Sequence, residues 1–479
     1  MAELHELGAI ELAAAIREGR TTARGALEHL LDRIGRLDRT VNSVVTFDLE
    51  RARREADAAD AAVAQGAISG PLHGVPMTIK DSFSTQGLRT TSGAPELSGH
   101  VPDEDAWPVA ALRRAGAVIF GKTNLPIYAG DMQSYNEIFG TTTNPWNESR
   151  TPGGSSGGSA AALACRFTPL EVGSDIGGSI RLPAHMSGVY GHKPTYGIVP
   201  AHGQIPGPPG TLTQADLAVA GPMARTTDDL ELALDLMSGP DRWNTPGWRL
   251  ELPAARATGL GEFRIAAWLD DPACPVDPEV ADVFASMVDA LGRAGAHVDT
   301  SARPAVPLEK AAQRFYALLQ AALAGGYDRN EIERMATATG DNPVAVTKRN
   351  TAMRHRDWLS NNESRLQMRL RFEEFFAHHD VLLLPVMPCV AFPHDHSEPI
   401  AGRVVSTELR DRAYWDVNMW MAHAGACWLP ATVVPVGVAA SGLPVGVQIV
   451  GPYLGDRTTL AFARALEAVV GPCPTPPGF

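Results

Sequence analysis

The chain has 479 residues, 44% of them hydrophobic and 20% charged, with a formal net charge of −13. That balance fits an ordinary soluble globular protein, and the acidic net charge disfavours nucleic acid as a main partner. Five scattered cysteines (Cys165, Cys274, Cys389, Cys427, Cys473) without CxxC spacing exclude a disulfide framework and a cysteine-based metal site, and point to a reducing cytoplasm.

The opening segment MAELHELGAIELAAAIREGR is acidic early and has no basic stretch ahead of an apolar run, so no secretory signal is expected. Thr21–Thr22 can cap a helix in which Leu27, Leu30, Leu31, Ile34 and Leu37 recur at helical spacing. A second helix is predicted over Leu49–Ala64, stopping at Gly66. LHGVPMTIKDSF then reads as a short strand, Val75–Ile79, that delivers Lys80 and Asp81 at its end. WPVAALRRAGAVIFG reads as a helix, a glycine stop and a strand at Val118–Phe120. The same grammar returns at Phe263–Asp270, a strand, followed by a helix capped by Asp277 with Pro278 at its first position.

Helical sequence dominates from about 308 to 377, with a break near Gly340–Pro343. Asp380–Pro388 and Leu443–Gly451 read as buried strands, and a helix over Arg457–Val470 closes the chain. The longest uncharged stretch, Val417–Gly455, is broken by prolines and glycines, so no membrane-spanning helix is expected. The pattern predicts one α/β domain over 1–479 with a mainly helical subregion at about 300–377.

Thr151–Pro183, TPGGSSGGSAAALACRFTPLEVGSDIGGSIRLP, carries two glycine–serine knots, Gly153–Ser159 and Gly177–Ser179. Glycine-rich turns occur where backbone bends sharply or approaches a ligand. A phosphate-binding loop would need Lys at position 159, where Ser159 stands. A G-x-S-x-G elbow with Ser155 as nucleophile would need a strand directly before it, and NPWNESRTP is turn-rich coil. A third reading uses both knots and Lys80. A serine is a weak nucleophile until a base takes its proton, and a lysine serves as that base only when burial makes it neutral. Ser155 could relay a proton between Lys80 and Ser179, while the backbone N–H groups around Gly177–Gly178 form an oxyanion nest.

Here the chain resembles the amidase signature hydrolases. The resemblance rests on LHGVPMTIKDSF around Lys80, GKTNLP (Gly121–Pro126), FGTTTNPWN (Phe139–Asn147), the whole of Thr151–Pro183, GHKPTYGIVP (Gly191–Pro200), GPMART (Gly221–Thr226) and LPVGVQIVGP (Leu443–Pro452). It implies a large, mixed, twisted β-sheet covered by helices on both faces. It implies a Ser–cis-Ser–Lys triad: Lys80 as base, Ser155 as relay after a cis peptide, and Ser179 as nucleophile. The N–H groups of Ile176, Gly177 and Gly178 would hold the oxyanion, and Ser156 would support the network or contact substrate. No metal and no organic cofactor is implied.

The resemblance also puts the segment YAGDMQSY (Tyr128–Tyr135), with Tyr128, Ala129 and Gly130, at the substrate pocket, and the Gly/Pro-rich loop Ala201–Gln214 reads as a mobile rim. Tyr414–Trp428 is either an apolar pocket wall or plain core. Asp81, Asp175 and Arg181 read as loop-holding residues, His394–His396 as a solvated loop, and Arg354–Arg356 as a solvated helix face. The expected substrate is a small amide, with aryl amides and carbamates (urethanes) or esters as candidates, cleaved by a monomer or homodimer with water. The alternative is the glutamine-hydrolysing member of a tRNA-dependent amidotransferase, working with partner subunits. A non-catalytic binding protein would not need Lys80, Ser155 and Ser179 together.

Overall fold

The computed structural model describes residues 3–205 and 208–479. The strands of its two larger sheets, in chain order, are β1 (Val44–Phe47), β2 (Pro76–Lys80), β3 (Val118–Thr123), β4 (Leu170–Asp175), β5 (Tyr190–Lys193), β6 (Val219–Ala224), β7 (Ile265–Ala267), β8 (Val298–Asp299), β9 (Val381–Pro385), β10 (Ala431–Val438) and β11 (Pro444–Val450). Six helices matter below: α1 (Gly157–Ala164), α2 (Arg181–Ser187), α3 (Pro278–Arg293), α4 (Leu308–Ala322), α5 (His355–Phe376) and α6 (Asp456–Val470).

Eight strands form one mixed sheet in the order β8-β7-β9-β11-β10-β5-β6-β4. Strand β7 pairs in parallel with β8 and β9, and the remaining ladders are antiparallel. Helices cover both faces. Gly437 pairs with Val445, so its neighbour Gly446 points the opposite way. A Cβ on Gly437 would meet Val283 of α3, and one on Gly446 would approach His185 of α2. These strands are nearly continuous apolar runs, as burial on both faces demands, with Thr432 and Gln448 as buried polar residues within them. The three-stranded sheet β1-β3-β2 lies beside the large one, with Thr78 N–H donating to Thr168 Oγ1 at 3.3 Å just ahead of β4.

Local signals explain most element ends. Thr22 Oγ1 accepts from Gly25 N–H at 2.8 Å and starts the helix Ala23–Val41. Asp48 Oδ1 does the same for Arg51 N–H at the start of Leu49–Ala64. Strand β2 ends on Lys80 itself, one residue past the expected end, because Lys80 still pairs with Thr123. Strand β7 is shorter than Phe263–Asp270. Asp277 precedes α3 but does not cap it: its carboxylate accepts from Thr407 Oγ1, Glu408 N–H and Arg412, so tertiary partners replace the local cap. Between 308 and 376 the helices are α4, Arg329–Ala336, Pro343–Thr351 and α5. Among the described residues, no helix is long and apolar enough to cross a membrane.

Candidate active site

Lys80 ends a strand whose five residues are all buried, and it has no exposed surface. Its Nζ donates to three hydroxyls, Ser155 Oγ at 2.7 Å, Ser156 Oγ at 2.9 Å and Ser174 Oγ at 2.9 Å. Burial pulls its ammonium down to about 7, and the carboxylate of Asp175 pushes in the opposite direction. A base that is partly neutral near pH 7 is what proton abstraction from serine requires.

The first knot brings Ser155 to that base. The Gly154–Ser155 peptide is cis. Gly154 sits so close to the 131–133 backbone that a Cβ would lie 2.6 Å from Gln133 N and 2.7 Å from Asp131 O. Ser134 Oγ donates to Gly153 O at 3.0 Å and accepts from Gly157 N–H at 3.1 Å, fastening the knot on both sides. Helix α1 then starts at Gly157, and Ser156 N–H donates to Ser179 O at 3.2 Å, which ties the two knots together. Ser156 turns inward: it has no exposed surface, and its Oγ accepts from Lys80 and from Ser174 N–H. It therefore belongs to the lysine's hydrogen-bond shell.

The second knot follows β4. Asp175 and Arg181 are both buried and form a forked pair, with Nε to Oδ2 and Nη2 to Oδ1 each at 3.0 Å. Gly178 has φ +113, and a Cβ there would meet Met421 and Leu182. Its N–H donates to Asp175 Oδ1 at 2.9 Å, so this donor is already engaged, unlike the expectation for an oxyanion hole. The N–H groups of Ile176, Gly177 and Ser179 make no hydrogen bond among the described residues. Ser179 is 9% exposed, the most accessible of the three candidate catalytic side chains. Its Oγ makes no hydrogen bond to Ser155, so that last link of the relay is not closed in this structure.

The segment Tyr414–Trp428 serves two ends. Trp420 Nε1 donates to Cys274 O and His423 packs on Val306 O, which is core packing. Asn418 and Met421 instead touch the second knot, with Asn418 Nδ2 donating to Gly177 O at 2.6 Å. Leu319 of α4 lies against the same glycine. Tyr128 and Ala129 both adopt left-handed backbone, φ 49 and 56, in the turn Ile127–Ala129 ahead of Gly130. The Tyr128 phenol donates to Glu96 at 2.6 Å at the surface. The rim loop is fastened at its first end: Ser84 N–H donates to Gly203 O, and Ile205 N–H to Ser82 O. Residues 206 and 207 of that loop lie outside the described residues. His396 stacks on Tyr135 at 3.7 Å between ring centroids.

The family model described as Amidase matches residues 25–460. The chain belongs to the amidase signature family. Among curated proteins, it is 34% identical to the A subunit of the glutamyl-tRNA(Gln) amidotransferase of Roseiflexus sp. (strain RS-1), over 98% of this chain and 97% of that one. Among solved structures, it superposes at TM-score 0.83 and 26% identity on a chain of an inhibitor-bound vestigial complex tied to the origins of an s-triazine catabolic enzyme, covering 98% of this chain and 100% of that one. It superposes on 6-aminohexanoate cyclic dimer hydrolase at TM-score 0.78 and 28% identity, covering 98% of both chains. It is thus an amidase signature enzyme, a hydrolase acting on amides. Sequence reasoning does not single out Ser174, and it names Asn418 and residues 131–133 only as parts of the pocket segments Tyr414–Trp428 and Tyr128–Tyr135, without their contacts to the two knots. Ser174 lies inside the quoted GSD, but its contact with Lys80 spans 94 residues.

Proposed function

We propose that Ser179, Ser155 and Lys80 cleave an amide C–N bond by acyl transfer. Ser179 Oγ attacks the carbonyl carbon while its proton passes through Ser155 to neutral Lys80. The free N–H groups of Ile176, Gly177 and Ser179 hold the oxyanion. The C–N bond breaks as Lys80 returns the proton through Ser155 to the leaving nitrogen. Water then attacks the Ser179 ester, giving up its proton by the same route, and the acid is released. The observation that carries this reading is the fully buried Lys80 with three serine hydroxyls on its Nζ. Lys193, also buried, instead donates to the backbone carbonyls of Pro194 and Leu429.

Two substrate readings share this chemistry. The curated relatives of Roseiflexus and Acidothermus that match over nearly their whole length are glutamyl-tRNA(Gln) amidotransferase A subunits, which favours glutamine as the amide, ammonia as the leaving group and partner subunits as its consumer. This reverses the ranking expected from the sequence. The stand-alone reading, an amidase for aryl amides, carbamates or esters in the cytoplasm, draws on the apolar wall of Leu319 and Met421 beside the second knot.

The test combines intact-protein mass after fluorophosphonate treatment with a panel of glutamine, chromogenic anilides, esters and carbamates. A single adduct lost in Ser179→Ala supports the assigned nucleophile, and an adduct that persists and maps to Ser155 sinks it. Glutamine turnover that rises on adding partner subunits supports the amidotransferase reading. Rapid anilide or carbamate turnover by the isolated chain, with none on glutamine, supports the stand-alone enzyme.

A further inference from the structure

The backbone that Gly154 leans on is itself pinned by a buried charged network. Asp131 and Arg403 are 5% and 2% exposed, and Arg403 Nη1 donates to Asp131 Oδ2 at 2.6 Å. Tyr135 OH donates to the same oxygen at 3.0 Å, and Tyr414 OH donates to Oδ1. Arg403 spends its other donors on Tyr135 OH at 2.8 Å and Ser397 O at 2.6 Å, with Glu398 at 3.4 Å. Gln133 completes the clamp. Its Nε2 donates to Asp395 O at 2.6 Å and Tyr414 OH at 3.1 Å, and its Oε1 accepts from Asp395 N–H at 3.0 Å.

Both side chains that enter this network from the 131–133 stretch, Asp131 and Gln133, flank the peptide units in contact with Gly154. A buried ion pair is a poor way to gain stability, because desolvation of both charges offsets their attraction. Its directional hydrogen bonds do fix geometry. We propose that Asp131, Arg403 and Tyr414 are positioning residues for Ser155: they hold the 131–133 backbone as a rigid floor under Gly154 and so keep Ser155 Oγ on Lys80 Nζ. The inference rests on the serine-hydrolase reading above. A floor that yields lets Ser155 drift and admits water beside Lys80. Asp175 is the charged side chain acting on that lysine, and it lies on β4, away from the network.

The experiment measures the rate of Ser179 labelling by a small fluorophosphonate against pH, in the full-length protein. Labelling forms the Oγ–P bond, breaks P–F, sends the serine proton to Lys80 and releases fluoride. Tyr414→Phe removes one donor without orphaning a charge, and Asp131→Asn with Arg403→Met removes both charges together. Misplacement of a reacting group by about 1 Å can cost about 100-fold, so a loss of roughly tenfold or more is expected in each variant. The pH midpoint of labelling should also move upward, since a wetter Lys80 returns toward its ordinary value of 10.5. If both variants label at the wild-type rate with the wild-type midpoint, the positioning role is wrong. Slower labelling that tracks only a lower Tm, with the midpoint unmoved, equally overturns it in favour of a structural network. A wild type that never labels at Ser179 fails the hydrolase reading first and takes this inference with it.

Discussion

Lys80 Nζ donates to Ser155 Oγ at 2.7 Å from a side chain with no exposed surface. The ordinary lysine value of 10.5 is pulled by burial to about 7, so the neutral base becomes abundant as pH rises through 7. The acylation rate should therefore rise with pH to a plateau with its midpoint near 7. Below it, each unit of pH should cost about tenfold, as the protonated fraction takes over. Lys80→Arg keeps the charge and cannot deprotonate, and should lose about 100- to 10,000-fold. Labelling kinetics from pH 5 to 9 check both; a flat profile ends the role of a neutral lysine.

Ser174 Oγ is the third hydroxyl on Lys80 Nζ, and its own N–H reaches Ser156 Oγ at 3.3 Å. A neutral amine has two N–H donors and one lone pair, so three hydroxyls fix which way each points. Ser174→Ala removes one of them without touching the proton path. We expect kcat to fall by about twofold to twelvefold, the worth of one hydrogen bond of about 0.5–1.5 kcal/mol, with KM nearly constant. A Ser174→Ala enzyme with a KM change larger than its kcat change would place Ser174 in substrate binding.

Lys80, Ser155 and Ser179 are legible because each sits in a local pattern that survives without tertiary context. The strand that delivers Lys80, the two knots and the capping Thr22 are of this kind. The Asp131–Arg403 pair is not legible: Asp131 lies in the segment Tyr128–Tyr135 that the resemblance puts at the pocket, but its contact with Arg403 spans 272 residues. Asp277 looks like a helix cap by position, yet its oxygens are taken by Thr407, Glu408 and Arg412, which only the folded chain brings near. Gly178 looks like an oxyanion donor by position, and Asp175, three residues earlier, claims its N–H. In each case the residue type is informative and the competing partner is hidden until the chain folds.

Gly154→Ala tests the packing of the first knot. The new Cβ would sit 2.6–2.7 Å from Gln133 N, Asp131 O and Met132 C, all backbone atoms that no rotamer can move aside. Overpacking of this sort costs about 1–3 kcal/mol, and relief requires the knot or the floor to shift. The expected result is a Tm lowered by several degrees and a labelling rate reduced far more than the unfolded fraction accounts for. Wild-type labelling with a wild-type Tm would mean that the close approach is not maintained in solution.

Asp175 joins stability to catalysis, and its neutralisation separates them. Burial opposes its charge, and the Arg181 guanidinium overrides this, holding the carboxyl below its ordinary 3.8. The pair's contribution is therefore present above about pH 3.8 and is lost only as pH falls through the lower folded value. Asp175→Asn leaves Arg181, with no exposed surface, as an orphaned charge, a loss of about 3–5 kcal/mol. Adding Arg181→Met should recover part of it, because the orphan is gone. Catalysis responds through a different route. Asp175 favours the charged form of Lys80, so its neutralisation should lower the lysine further and shift the acylation midpoint to more acid pH. The double variant keeps that acid shift while regaining stability. Melting curves and labelling profiles on both variants check the pair of signs. An unmoved midpoint in both would mean that solvent or rearranged serines screen Asp175 from Lys80, and the electrostatic link between the two knots would fall.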